Sequence, residues 1–272
     1  MFRTTVIPHV AIAAASLACI VAGAEPDPVT HAILQARAYK YQVRVGRYER
    51  AQDSLAVLRT AVEAAPDNIE VWNELGTAYF MQITAAANGK SDARVAASAA
   101  QDAFEAFDRA VRLDPSNAYA TAGRGMARTV IANRSRAPED LRRAIVDLNR
   151  GVELAPSQVP VRLMRAFSSL ALPLPLRHDL PIEDDLMFLM NVADGTRAGD
   201  VVALLLADLQ WESGRRDEAR STYERMARRD TPAAQRARER LAVLSGNQSP
   251  PTADMMKLRL NIGRDCTQCH GH

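Results

Sequence analysis

Cysteine is scarce: the 272 residues contain three. One of them, Cys19, lies in the apolar N-terminal stretch, so a chain trimmed after residue 24 keeps only Cys266 and Cys269. Two thiols three positions apart cannot staple a body of this size, which excludes a disulfide framework. Aromatic residues make up 5% of the chain. Alternating runs of Val, Ile and Thr are few, so there is little from which to build a sheet. An excess of one charge is also missing, with 34 basic against 32 acidic side chains and a net charge of +2. That balance excludes a basic footprint for nucleic acid. No stretch beyond residue 24 is apolar for long enough to span a bilayer. The five histidines are scattered, and no nucleophile, base and acid fall into a catalytic pattern. Asp184-Asp185 reads as the acidic first turn of a helix, not as an acid/base pair.

The N-terminal 24 residues read as a secretory signal peptide. Arg3 is a thin positive region, Val10 to Val21 is almost wholly apolar, and Ala22-Gly23-Ala24 offers small residues for cleavage before Glu25. The residues before Cys19, Ser16-Leu17-Ala18, depart from the order that directs lipid to a cysteine. The expectation is an exported, periplasmic protein, with membrane association only if Cys19 carries lipid.

What the chain has in quantity is Ala, Leu and Arg, arranged with helical spacing. Trp72, Leu75 and Tyr79 fall on one helix face, and Gly76 removes a side chain where a partner helix must come close. Ala103, Phe107 and Ala110 make the small-large-small face of the next helix, which Pro115 closes. The pattern Trp72-x-x-Leu75-Gly76-x-x-Tyr79, followed by that second helix, resembles a tetratricopeptide repeat. Less regular copies surround it. Residues 55–66 close an earlier copy whose first helix starts near His31. Ala118 to Arg128 opens another, closed by Ala144 to Pro156. Val201 to Trp211 opens a last one, with Gly214 to Tyr223 as its turn and second helix, and Gln235 to Leu244 as a closing helix. Pro66, Pro115 and Pro156 are spaced more widely than the usual period of about 34 residues. Extra residues therefore fall at 84–101 and 131–138, and the Pro-rich, then apolar, 171–199 is a third irregular stretch. The fold class predicted is all-α: an α-solenoid of tetratricopeptide-like hairpins over 25–244, followed by a separate C-terminal helix.

The resemblance implies a concave face that binds a protein partner. It carries no carboxylate clamp of the kind found in co-chaperone members. The corresponding places hold Asn73 and Thr77 in one copy and Ala122, Gly123 and Met126 in the next.

Residues 245–251, Ser-Gly-Asn-Gln-Ser-Pro-Pro, read as a linker, and Thr252 as the N-cap of a helix in the last segment, 252–272. That segment contains Cys266-x-x-Cys269-His270, the attachment sequence of a c-type haem. Two thiols one helical turn apart can add to the two vinyl groups of one porphyrin, and the adjoining imidazole can take the iron. The same side chains, with His272, could instead hold zinc, or the cysteines could form a redox dithiol. Met255 to His270, with Ile262-Gly263 just ahead of the motif, resembles a haem-binding segment of the photosynthetic reaction-centre cytochrome c subunit. The resemblance implies one covalent haem c bound to Cys266 and Cys269, with His270 as the fifth iron ligand and Met255 as the sixth. Met256 is the reserve, about 100° away on a helix. His31 and His178 are further candidates for the sixth position, and a helix core stripe is the other reading of the Met pair. The functional expectation is periplasmic electron transfer with a redox protein or membrane complex docked on the repeats. The alternative is a non-catalytic adaptor or cytochrome-assembly factor using Cys266 and Cys269 as a dithiol.

Overall fold

The computed structural model describes residues 26–246 apart from 45, 88, 90, 91, 178 and 179. The segments read as signal peptide (1–24) and haem-binding tail (252–272), most of the linker, and His178 lie outside the described residues. Twelve helices and no strand are found among the described residues. They are α1 (Pro28–Arg44), α2 (Arg50–Ala64), α3 (Ile69–Ala87), α4 (Ala93–Leu113), α5 (Ala118–Ser135), α6 (Pro138–Leu154), α7 (Val159–Leu170), the single turn α8 (Leu174–Arg177), α9 (Ile182–Val192), α10 (Arg197–Glu212), α11 (Arg216–Ala227) and α12 (Pro232–Ser245).

These helices pack as hairpins: α1 with α2, α3 with α4, α5 with α6, α7 with α9, and α10 with α11, with α12 closing the stack. The second helix of each hairpin also touches the first helix of the next, and α1, α3, α5 and α7 lie side by side in one row. Contacts run only between near neighbours in sequence, which is the architecture of an α-solenoid.

Local chemistry makes three of the connections alike. Ala65-Pro66-Asp67-Asn68, Asp114-Pro115-Ser116-Asn117 and Ala155-Pro156-Ser157-Gln158 each stop a helix with a proline that cannot continue the ladder. In each, the first residue's N–H still reaches a carbonyl four residues back, and the fourth residue's N–H returns to the first residue's carbonyl. Asn68 and Asn117 then cap the following helices, their Oδ1 atoms accepting from the N–H groups of Val71 and Ala120.

The first two extra stretches lengthen helices. α3 continues to Ala87, and α4 starts at Ala93 behind Asp92, whose carboxylate accepts from the Arg94 N–H at 2.7 Å. α5 continues to Ser135 and ends on Arg136 in the left-handed region, φ 53°. The third stretch differs from its sequence reading. Residues 171–199 hold α8 and α9, and α9 is the second helix of a hairpin with α7. The Leu186 to Met190 run concealed this because it shows no clean period: Leu186 and Leu189 are buried, while Met187 between them is 40% exposed.

Candidate protein-binding groove

The row of first helices carries an open groove of about 750 Å³. On α1, Arg37, Lys40, Tyr41 and Arg44 recur at i, i+3, i+4 and i+7, so they share one face. Glu70, Asn73 and Glu74 answer from α3, Tyr119 from α5 and Pro160 from α7. Two of the cations are committed to holding α1 against α3. Arg37 Nε donates to Glu74 Oε1 at 2.7 Å and Arg37 Nη2 to Glu70 Oε1 at 2.6 Å, while Lys40 Nζ donates to Glu74 Oε2 at 2.9 Å. Burial works to raise the Glu74 carboxyl, but Lys40 and Arg37 together outweigh it and hold the group below its usual range. Arg44 has no ion pair among the described residues and is exposed at the rim, beside Tyr41, which is 49% exposed.

Hydroxyls order the floor of the groove. Thr77 Oγ1 donates to the Asn73 carbonyl at 2.8 Å, so the 2.8 Å contact between Thr77 and Tyr119 is one in which the tyrosine donates. Burial pushes the Tyr119 phenol up, which keeps it a neutral donor. The Asn73 Oδ1 is buried and has no hydrogen-bond partner among the described residues. Asn73 as a whole is half-buried and lines the groove, so the rest of its carboxamide can meet the backbone of a chain laid along it. The site therefore offers one exposed cation, aromatic surface and one amide, and no nucleophile–base pair. Among the described residues no group of three or more His, Cys, Asp or Glu side chains is placed to hold a metal ion.

Of the positions compared with a carboxylate clamp, Asn73 lines the groove and Thr77 lies just beneath it. Ala122 and Gly123 do not: both face the hairpin core, Ala122 against Gly151 and Gly123 against Phe107. The α5 contribution is Tyr119, one turn earlier. The α1 residues carried a legible signal, basic side chains at 37, 40 and 44 on one helical face, in a helix whose repeat pattern is too weak to direct attention there. His31 is exposed on α1 and lines no part of the groove. Asp184 and Asp185 do begin a helix, α9, and they part company: Asp184 is exposed, and Asp185 is fully buried in ion pairs with Arg162 and Arg165. Cys266, Cys269, His270, Met255 and Met256 lie outside the described residues.

Residues 204–245, spanning most of α10 with α11 and α12, match the family model of a tetratricopeptide repeat. The fold is similar to that of a solved thermophilic tetratricopeptide protein from Thermus thermophilus. The TM-score is 0.51 at 18% sequence identity, with 82% of this chain and 97% of that chain covered. No curated protein sequence matches the chain. No helix among the described residues is long and apolar enough to cross a membrane.

Proposed function

We propose that this protein is a non-catalytic adaptor that holds a segment of a protein partner in the groove of α1, α3, α5 and α7. The observation that carries this reading is the groove of about 750 Å³, in which Glu70 and Glu74 are taken up by Arg37 and Lys40 while Arg44 and the Asn73 amide are left to meet a ligand. Tetratricopeptide-type hairpins as a class serve protein–protein contacts, and nothing in the groove is equipped for bond making or breaking. Chemical cross-linking of the exported protein in its own cells tests it. A partner captured by the natural chain should be lost with Arg44→Glu, while circular dichroism stays unchanged. Equal capture by both proteins would overturn the reading.

A second reading is favoured by Cys266-x-x-Cys269-His270 at the far end of the chain. In it the adaptor also carries one covalent haem c and works in the periplasm, the docked partner being a redox protein or membrane complex. Cys266 and Cys269 would hold the porphyrin through thioether bonds, and His270 and Met255, with Met256 in reserve, would be the iron ligands. The haem would supply single-electron transfer. In the dithiol form of the adaptor reading, Cys266 and Cys269 exchange disulfides instead. His270 separates the two, since a dithiol has no use for an imidazole there. Expression with haem-attachment machinery should give a red protein with the mass of one added haem. A colourless product with two free thiols would leave the dithiol. In the haem protein, Met255→Ala should remove the far-red sulfur-to-iron band and lower the potential, and Met256→Ala should do neither.

A further inference from the structure

A second groove, of about 560 Å³, lies where the α8–α9 connection meets the α10–α11 turn. Its walls are two ion pairs, Arg177 with Glu212 at 3.0 Å and Arg215 with Glu183 at 2.6 Å. Between them it shows the exposed ring of Pro181 and the half-buried Leu209. Asp184 also lines it and has no partner among the described residues, so the walls carry one more negative than positive charge. Met187, one turn along α9 from Glu183, continues the same face and is 40% exposed. The groove is thus a short apolar track with one uncompensated carboxylate.

The end of the scaffold sits beside it. Arg216 Nη2 donates to the Leu244 carbonyl at 3.0 Å, in the last turn of α12. Arg215, the preceding residue, reaches the groove. Leu244 and the groove are therefore each within one arginine side chain of adjacent α-carbons, a separation on the order of 20 Å at most. Residues 247–254 can bridge about 26 Å when extended. The sequence delivered at that reach is Met255-Met256-Lys257-Leu258-Arg259-Leu260-Asn261-Ile262, apolar positions interleaved with two cations.

We infer that residues 255–262 dock into this groove, with their apolar side chains over Pro181, Leu209 and Met187 and a cation against Asp184. The docking fixes the Cys266 to His270 motif against the C-terminal end of the solenoid, away from the α1–α3 groove. It needs no haem, so it stands or falls separately from the electron-transfer reading.

Photo-cross-linking in the full chain tests it. Benzoylphenylalanine in place of Leu260 should give an intrachain product mapping to residues 180–187 or 209–215. Asp184→Arg replaces an exposed attraction by a repulsion and should lower the yield about five-fold. Leu258→Asp, which changes nothing within the scaffold, should lower it as well. Products that map to α1 and α3, join two copies, go to a partner protein, or persist at full yield in both variants would overturn the inference, as would no product at all.

Discussion

Phe107 has no exposed surface and lies between two glycines on different helices. A Cβ on Gly76 of α3 would stand 2.7 Å from its ring, and a Cβ on Gly123 of α5 would stand 2.6 Å from the other side. The ring cannot retreat from one without striking the other, and Phe80 and Tyr119 complete the enclosure with ring centroids 6.2 Å away. Gly76→Ala should therefore destabilise the protein by about 1–3 kcal/mol, the usual range for overpacking. The check is the urea midpoint, with Gly76→Ala/Phe107→Leu recovering part of the loss. Glu74 gives a second prediction at this scale. Its carboxyl is held below the usual value of 4.5 in the folded chain. A depressed carboxyl contributes stability that is fully present above its unfolded value and is lost as pH falls through the folded one. Stability should thus decline on acidification below that value. Glu74→Gln should be less stable at neutral pH and show a shallower acid dependence; parallel curves for the two proteins would refute the assignment.

At the scale of elements, α7 and α9 are joined by charge as well as by apolar packing. Asp185 is fully buried and accepts from Arg165 Nε at 2.6 Å and Arg162 Nη1 at 2.9 Å; Arg165 also reaches Asn149 of α6 at 3.0 Å. Arg162 lies 4.6 Å above the Phe188 ring. Removing the carboxylate would leave two guanidinium groups facing each other in a largely dry interface. Asp185→Ala should cost about 3–5 kcal/mol, far more than the same change at exposed Asp184. Thermal unfolding of the two variants compares them directly. The Arg177 guanidinium plays a related part for the short α8, donating to the carbonyls of Leu170 and Leu172 as well as to Glu212. It ties a turn too short to hold itself to the end of α7 and to α10.

At the scale of the whole molecule, each hairpin touches its neighbours and little else, so stability is distributed along the stack. Four apolar clusters follow one another in place of a single core. Native-state hydrogen exchange should accordingly be graded, slowest in α3, α4 and α5 around Phe107 and fastest in α1 and α12, which are covered on one side. Uniform protection along the solenoid would show cooperativity that nearest-neighbour packing does not provide.

The repeats centred on Trp72 and Phe107 were legible in the sequence, because their spacing is local: a helix face, a proline stop and a capping residue all lie within a few positions. The same local logic placed the turn at Gly214 and the helical start at Asp184. Tertiary structure decided what depends on partners distant in the chain. α9 became a hairpin helix through partners some twenty positions away, the apolar face of α7 together with Arg162 and Arg165 around Asp185, since its own apolar run has no period. Ala122 and Gly123 turned from groove positions into core positions because Gly151 and Phe107 approach them from other helices. The groove itself is assembled from Arg44, Asn73 and Tyr119 on three helices: the basic face of α1 is legible in its own segment, but what stands opposite it is not. Its chemistry arises from the stacking that lays α1, α3 and α5 side by side, which brings together side chains no local spacing connects.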